Sequence, residues 1–286
     1  MSNRGKSLVI GQIGMGWIGQ AYNKVFKKMG YKVLSYSLEE PWVKNKDKIK
    51  ECDVVFIAVW TPTTPKGFDS SVLESVLPLV GKGKIAVIKS TMVPGTTKRL
   101  QKMFPNIKII YSPEFLSVAT SHHDARKPWS SIVGLPVQTL KYKEAGKLVL
   151  SIMPKAPFTL LCDSTQAELI KYSHNISGYA NIIIFNLLYN MAQKLDVDWE
   201  PIRQAILADP FMAGRYSQPV HKSGRGAGGG CFIKDMAAFR GRYLELLPQD
   251  KLAHDVLKSL ERENIKLLKA SKKDLDLLRG VYGKSV

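Results

Sequence analysis

The sequence predicts an α/β protein: a Rossmann-like parallel sheet domain followed by an all-helical domain. Three observations carry this reading. The apolar run Leu8–Ile13 enters Gly14-Met15-Gly16-Trp17-Ile18-Gly19, and a helical pattern (Ala21, Val25, Phe26, Met29) follows at once. Short apolar runs then alternate with helical patterns, the rhythm of βαβ units. From residue 164 the apolar spacing is helical throughout. These place a dinucleotide-binding domain at 1–163. A helical central domain, with a cysteine loop and a C-terminal helix, occupies 164–286.

Each element has its own signal. In the G-x-G-x-x-G, glycines allow a tight turn, close approach of a pyrophosphate and close helix–strand packing, with the helix N-terminus facing the anion. Gly14, Gly16, Trp17, Ile18 and Gly19 are therefore candidate cofactor residues. A second strand, Lys32–Tyr36, ends at Ser37, where such folds place an acid for the ribose. Ser37 with Lys44 or Lys46 nearby suits a 2′-phosphate, and Glu39 suits ribose hydroxyls, so NAD and NADP both stay open. Asp53–Val59 is a third strand, continuous in apolar character as strands covered on both faces are. Thr61 lies in the loop that leaves it. Ser71–Val80 reads as a helix and Ile85–Ile88 as a fourth strand, followed by the hydroxyl-rich loop Lys89–Thr97, with Thr96 or Thr97 suited to a helix cap. Ile107–Tyr111 is a fifth strand and delivers Glu114, a candidate acid/base or helix-start acid, with Phe115 and Leu116. Ile132–Gly134 closes the predicted sheet.

In the second domain a helix spans about 164–195, capped by Asp163 or Ser164. Its stretch from Ile176 to Leu188 is apolar nearly all round, which predicts burial on every side and a homodimer formed through this helix. Lys171 and Asn175 are four apart and share a face. A helix Trp199–Leu207 ends before Asp209–Arg215. The stretch Gly228-Gly229-Gly230-Cys231-Phe232-Ile233-Lys234-Asp235 strips side chains from beside a cysteine, and a nearby cation or helix start favours thiolate, the nucleophilic form. Helix is expected again over Asp235–Leu247, and a charged amphipathic helix over about Lys251–Leu278.

Composition bounds the function. With 286 residues and 45% apolar character, a substantial core forms. Three scattered cysteines (Cys52, Cys162, Cys231) make neither a disulfide framework nor a metal cluster, so no metal is expected and a reducing compartment is. The polar, basic Met1–Lys6 leads into an apolar run too short for a signal peptide, which points to the cytoplasm. The net charge of +18 is spread along the chain without blocks or interleaved aromatics, so neither nucleic acid nor membrane is an expected partner. The Asn-interrupted helix is no membrane span.

Six segments taken together, GQIGMGWIGQ, VWTPTTPKGFD, KSTMVPGTT, YSPEFL with Asp124 downstream, AELIKYSHN and GGGCFIKD, resemble the UDP-glucose/GDP-mannose dehydrogenase family, with UDP-glucose 6-dehydrogenases nearest. The resemblance implies catalytic roles for Cys231, Lys171, Asn175, Asp235 and Glu114. It implies cofactor contacts at Thr61, Thr91 and Lys234, the last also helping to keep Cys231 ionised. Substrate contacts fall on Phe115, Leu116, Arg215, Gly228 and Gly229. The implied reaction oxidises the C6 alcohol of a nucleotide sugar to the uronic acid in two hydride transfers, through a Cys231 thiohemiacetal and thioester. Lys171 and Asn175 stabilise oxyanions, and Asp235 with Glu114 handles water.

The chain departs from the family at Val118, where a glutamate is usual, at Ser130, where an arginine is usual, and at Ser37. The resemblance also implies a further, uridine-binding domain that this sequence lacks, so a separate chain is one expected source of the nucleotide site. Two other readings stay open at this stage: a dehydrogenase for a smaller alcohol, and a truncated, non-catalytic module that binds cofactor or regulates a partner.

Overall fold

The computed structural model describes residues 8–284 and 286; Met1–Lys6 lies outside the described residues. The chain divides into two compact units, Met1–Thr61 with Ser70–Lys171, and Pro62–Asp69 with Tyr172–Val286.

The first unit alternates strands and helices: β1 (Val9–Ile13), α1 (Trp17–Lys28), β2 (Lys32–Tyr36) and β3 (Val54–Ile57). A short hairpin, β4 (Thr63–Thr64) and β5 (Gly67–Phe68), belongs to the second unit. The first unit resumes with α2 (Ser71–Val76), β6 (Ile85–Ile88), α3 (Thr96–Met103), β7 (Lys108–Tyr111), α4 (Ser121–Arg126), β8 (Ser130–Leu135), α5 (Leu140–Ile152) and β9 (Phe158–Asp163). The sheet has seven strands in the order β2-β1-β3-β6-β7-β8-β9. From β2 to β7 all pairs are parallel. The β8 strand pairs antiparallel to β7 and parallel to β9. The sheet is thus mostly parallel, and it closes on β9 rather than on 132–134; residues 149–152 finish α5.

The strands form where the sequence is apolar on both faces. All four residues of β3 and all four of β6 are buried, as expected for parallel strands covered on each side. Helix α1 buries Ala21, Tyr22, Val25 and Phe26 and ends on Lys27 and Lys28, which suit the negative end of its dipole. The rings of Phe26 and Phe56 lie 4.6 Å apart, tying that helix to β3.

The second unit contains most of α6 (Ser164–Lys194), then α7 (Trp199–Ala208), the hairpin β10 (Val220–His221) and β11 (Gly224–Arg225), α8 (Gly229–Leu246), α9 (Lys251–Ala270) and α10 (Leu275–Tyr282). The Asp163 carboxylate accepts from the Thr165 amide at 2.8 Å, the expected anchor at the start of α6. The core of this unit gathers Tyr179, Ile183, Ala227, Met236, Leu257 and Leu267.

Two expectations need correction here. The glycine stretch is no separate loop, because α8 already begins at Gly229 and Cys231 sits in its first turn. The C-terminal helix is not continuous to Leu278. It breaks between α9 and α10, where Lys272 and Asp274 take positive φ (54° and 53°). Hydrogen bonds hold that break. The Asp274 carboxylate accepts from the Gly229 amide at 2.7 Å, and Lys273 Nζ donates to the Gly226 carbonyl at 3.0 Å. The apolar stretch of α6 is not buried on every side within the chain: Ile184 and Leu188 are exposed, and Met191 and, just past the helix end, Leu195 continue that exposed face. Among the described residues no helix is long and apolar enough to cross a membrane.

Candidate active site

Three glycines, two between β1 and α1 and one in the first turn of α1, have three different physical reasons. Gly14 has φ +84°, and a Cβ there would lie 2.3 Å from the Ala58 carbonyl oxygen. At Gly19 a Cβ would lie 1.8 Å from the Gly14 oxygen. Gly16 meets nothing within 4 Å, so its missing side chain leaves open space rather than resolving an internal clash. That space adjoins the start of α1, where the amides of Trp17, Ile18 and Gly19 have no earlier carbonyl in the helix to bond.

Beyond β2, Ser37 Oγ accepts from the Glu39 amide at 3.2 Å, which orders the turn there. The loops after β3 and β6 are stitched together: Thr61 Oγ1 donates to the Thr91 carbonyl at 2.8 Å, and Ser90 Oγ to the Val59 carbonyl at 2.7 Å. After β7, buried Glu114 folds back so that its carboxylate accepts from the Leu116 amide at 2.7 Å. Buried Lys171, on the first part of α6, donates to the Glu114 carbonyl at 2.8 Å, with its Nζ 3.8 Å from that residue's carboxylate. Its Nζ also lies 5.3 Å from the centre of the Phe115 ring.

The second unit gathers a different set. Asn175 Nδ2 donates to the Asp235 carboxylate at 2.5 Å, and Lys234 Nζ donates to the other oxygen of that carboxylate at 2.5 Å. All three side chains are buried. Lys234 therefore spends its ammonium on Asp235. Cys231 lies one turn before Asp235 on the same face of α8 and is exposed. The other two cysteines are poor nucleophiles. Burial, then a neighbouring acid (Asp53 and Asp163 respectively), pushes the Cys52 and Cys162 thiols up to about 11. Gly229 has φ +77° with open space where a Cβ would point, whereas Gly228 is small because a Cβ there would lie 2.1 Å from the Asp274 carboxylate. Arg215 is exposed, with its guanidinium 5.9 Å from the Tyr216 ring centre. Among the described residues no group of three or more His, Cys, Asp or Glu side chains is placed to hold a metal.

Comparison with known proteins decides the family. Residues 42–149 match the NAD binding domain of the UDP-glucose/GDP-mannose dehydrogenase family, and residues 165–264 match that family's central domain. The chain belongs to the UDP-glucose/GDP-mannose dehydrogenase family. A UDP-glucose 6-dehydrogenase of Campylobacter jejuni is 30% identical over 214 residues, covering 69% of this chain and 53% of that protein. The Haloferax volcanii UDP-glucose 6-dehydrogenase is 24% identical over 276 residues, covering 79% of this chain and 63% of its own length. The fold is shared with a solved UDP-glucose dehydrogenase of Pyrobaculum islandicum, at TM-score 0.78 and 23% identity over 93% of this chain and 70% of that one. The chain spans about half the length of the curated relatives it matches.

As a member of this family the chain carries its NAD-binding domain, and NAD is its cofactor. The open space at Gly16 and the outward amides of α1 fit the pyrophosphate of that cofactor.

Two buried residues went unassigned in the sequence. The Glu168 carboxylate accepts from the Gly95 amide (2.6 Å), the Thr97 amide (2.8 Å) and the Thr97 hydroxyl (2.6 Å), and so ties the loop that carries Thr91 to α6. Burial outweighs these donors and pushes its carboxyl up to about 7. Lys89, from the same loop, is 2% exposed. Both lie in segments that carry the family resemblance, but lysine and glutamate are by default surface residues.

Proposed function

We propose that this chain oxidises the C6 alcohol of a nucleotide sugar such as UDP-glucose to the uronic acid, in two NAD-linked steps through a covalent adduct on Cys231. One observation carries the reading: an exposed cysteine on the first turn of α8, one turn before a buried aspartate that Asn175 holds. A simple alcohol dehydrogenase needs no nucleophile. A four-electron oxidation does, because the intermediate aldehyde must be held and turned into something that can lose a second hydride.

NAD, when bound, accepts one hydride in each oxidation. The first oxidation removes the hydroxyl proton and the C6 hydride and leaves an aldehyde. Cys231 Sγ, as thiolate at the positive end of the α8 dipole, adds to the aldehyde carbon. Lys171 and Asn175 donate to the resulting oxyanion. Loss of the second hydride leaves a Cys231 thioester. Water, positioned and deprotonated by Glu114 or Asp235, attacks the acyl carbon, and the thiolate leaves with the C–S electron pair.

The test is the absorbance of reduced cofactor formed from limiting UDP-glucose. The expected result is two NADH per sugar. One per sugar points to a simpler alcohol dehydrogenase. NAD binding without turnover, even with other nucleotide sugars, points instead to a cofactor-binding module or to a nucleotide site supplied by a separate chain.

We further propose that a second copy of this chain covers the exposed α6 face. Ile184, Leu188, Met191 and Leu195 recur at spacings of three and four, the pattern of a helix seam. Met191→Lys with Leu195→Lys should turn a dimer into a monomer in light scattering. A wild type that runs as a monomer at micromolar concentration sinks this assembly.

A further inference from the structure

Lys89 follows β6 directly and has no part in the mechanism above. Its side chain is among the largest fully buried ones in the protein. Burying an ammonium is costly unless something specific compensates. Here Nζ donates to Ser112 Oγ at 3.1 Å and approaches the Pro113 carbonyl at 3.4 Å. Its other side faces the Tyr22 ring of α1, 4.5 Å from the ring centre. The next residue after Pro113 is Glu114, whose carbonyl is held by Lys171. Two buried lysines from different elements thus grip consecutive carbonyls of one short segment, and that segment carries the candidate base.

The charges in this pocket do not cancel. Lys89 comes from the loop after β6, Lys171 from α6, Glu114 from the segment after β7 and Tyr22 from α1. The Tyr22 phenol is pushed up by burial and then by Glu114, so it stays neutral. Glu114 and Lys171 balance as a pair. A proton on Lys89 is then the one unbalanced charge among these four groups.

Resting on the reading above, we propose that Lys89 is a positioning residue. It fixes the Ser112–Glu114 segment and supplies a second, removable positive charge to the Glu114–Lys171 pair. With Lys89 charged, the Glu114 carboxylate lies in the field of two cations. With Lys89 neutral, Lys171 is its sole cationic neighbour within this group. Desolvation by burial draws the ammonium of Lys89 down to about 7, with Glu114 opposing and Lys171 adding to the shift, so the switch falls at neutral pH.

The sign for stability follows. The folded-state value lies below the unfolded one, so between about 7 and 10.5 the unfolded chain binds more protons, and this residue makes stability rise with pH across that window. Lys89→Met, of similar length and without charge, removes that rise.

The test uses the full chain labelled with 13Cε-lysine, read by NMR across pH, beside steady-state kinetics. One lysine signal should titrate near pH 7 and be absent in Lys89→Met. Its midpoint should fall in Glu114→Gln, which removes the negative charge that raises it, and rise in Lys171→Met. In turnover, Lys89→Met should lose about a hundredfold in kcat with the KM for NAD unchanged, and should lose the ionisation near neutrality from its pH profile. Lys89→Arg should keep the charge and lose that ionisation. If the Lys89 signal titrates with the surface lysines, or ignores both partner substitutions, the proposal fails. If the NMR behaviour is as expected but no sugar is oxidised, the reading of the reaction fails and the coupled lysine stands. Equal pH profiles for wild type and Lys89→Met also overturn the proposal.

Discussion

Replacing Cys231 by serine should abolish formation of the uronic acid, by about 10⁴-fold or more, the scale seen when a covalent nucleophile is deleted. A serine hydroxyl stays protonated at neutral pH, and an alkoxide is a far poorer leaving group than a thiolate. Hence both the adduct and its hydrolysis are lost. The substitution changes one exposed atom, and the start of α8 stays held at the Gly229 amide and at Asp235. The melting temperature should therefore hold within a degree or two, so that loss of activity reads as loss of chemistry. Alkylation gives an independent check. With Cys52 and Cys162 held as thiols up to about 11, brief iodoacetamide treatment at pH 7 should label Cys231 first and inactivate the protein in proportion. Two NADH per sugar from the serine variant would refute the covalent route.

Much of the fold was legible because each signal had a local cause. Of the three glycines after β1, Gly14 and Gly19 are required by the Ala58 and Gly14 carbonyls, and Gly16 leaves open space beside the helix start. The apolar runs of β3 and β6 announced strands covered on both faces. What stayed hidden depended on distant partners. Nothing local in Ser130–Leu135 tells that β8 runs against β7, since an apolar run reads the same in either direction. The break after α9 is set by Asp274 and Lys273 bonding to the glycine segment some 45 residues earlier, and an amphipathic pattern continues straight through it. At the candidate site the motif residues were visible through resemblance, but their grouping was not. Asp235 takes both Asn175 and Lys234, and Lys234 looked equally suited to serve the cysteine. Lys89 and Glu168 are buried by long-range packing, which a lysine or glutamate does not disclose in sequence.

The second large effect is expected from Lys171→Ala, which should lower kcat by about 10²–10³-fold, the usual loss on deleting one preorganised oxyanion donor. The ammonium is buried and held in place. It is fixed by the Glu114 carbonyl at 2.8 Å, so it needs no reorganisation when negative charge develops on the sugar oxygen. The KM for NAD should stay within about twofold, because the glycine turn and the start of α1 are untouched. Removing Lys171 also strands Glu114, whose carboxylate keeps the Leu116 amide and the field of Lys89. Breaking a buried pair typically costs about 3–5 kcal/mol, so kinetics must be taken well below the variant's melting temperature, with circular dichroism showing it folded. Arginine should not restore the rate. Its planar fork cannot place a compact charge where the ammonium sits, and retention of charge alone is then separated from retention of geometry. A folded Lys171→Ala variant that keeps kcat within about threefold would remove Lys171 from the chemistry. The electrophilic work would then pass to Asn175, which sits four residues on along α6 and is already bound to Asp235.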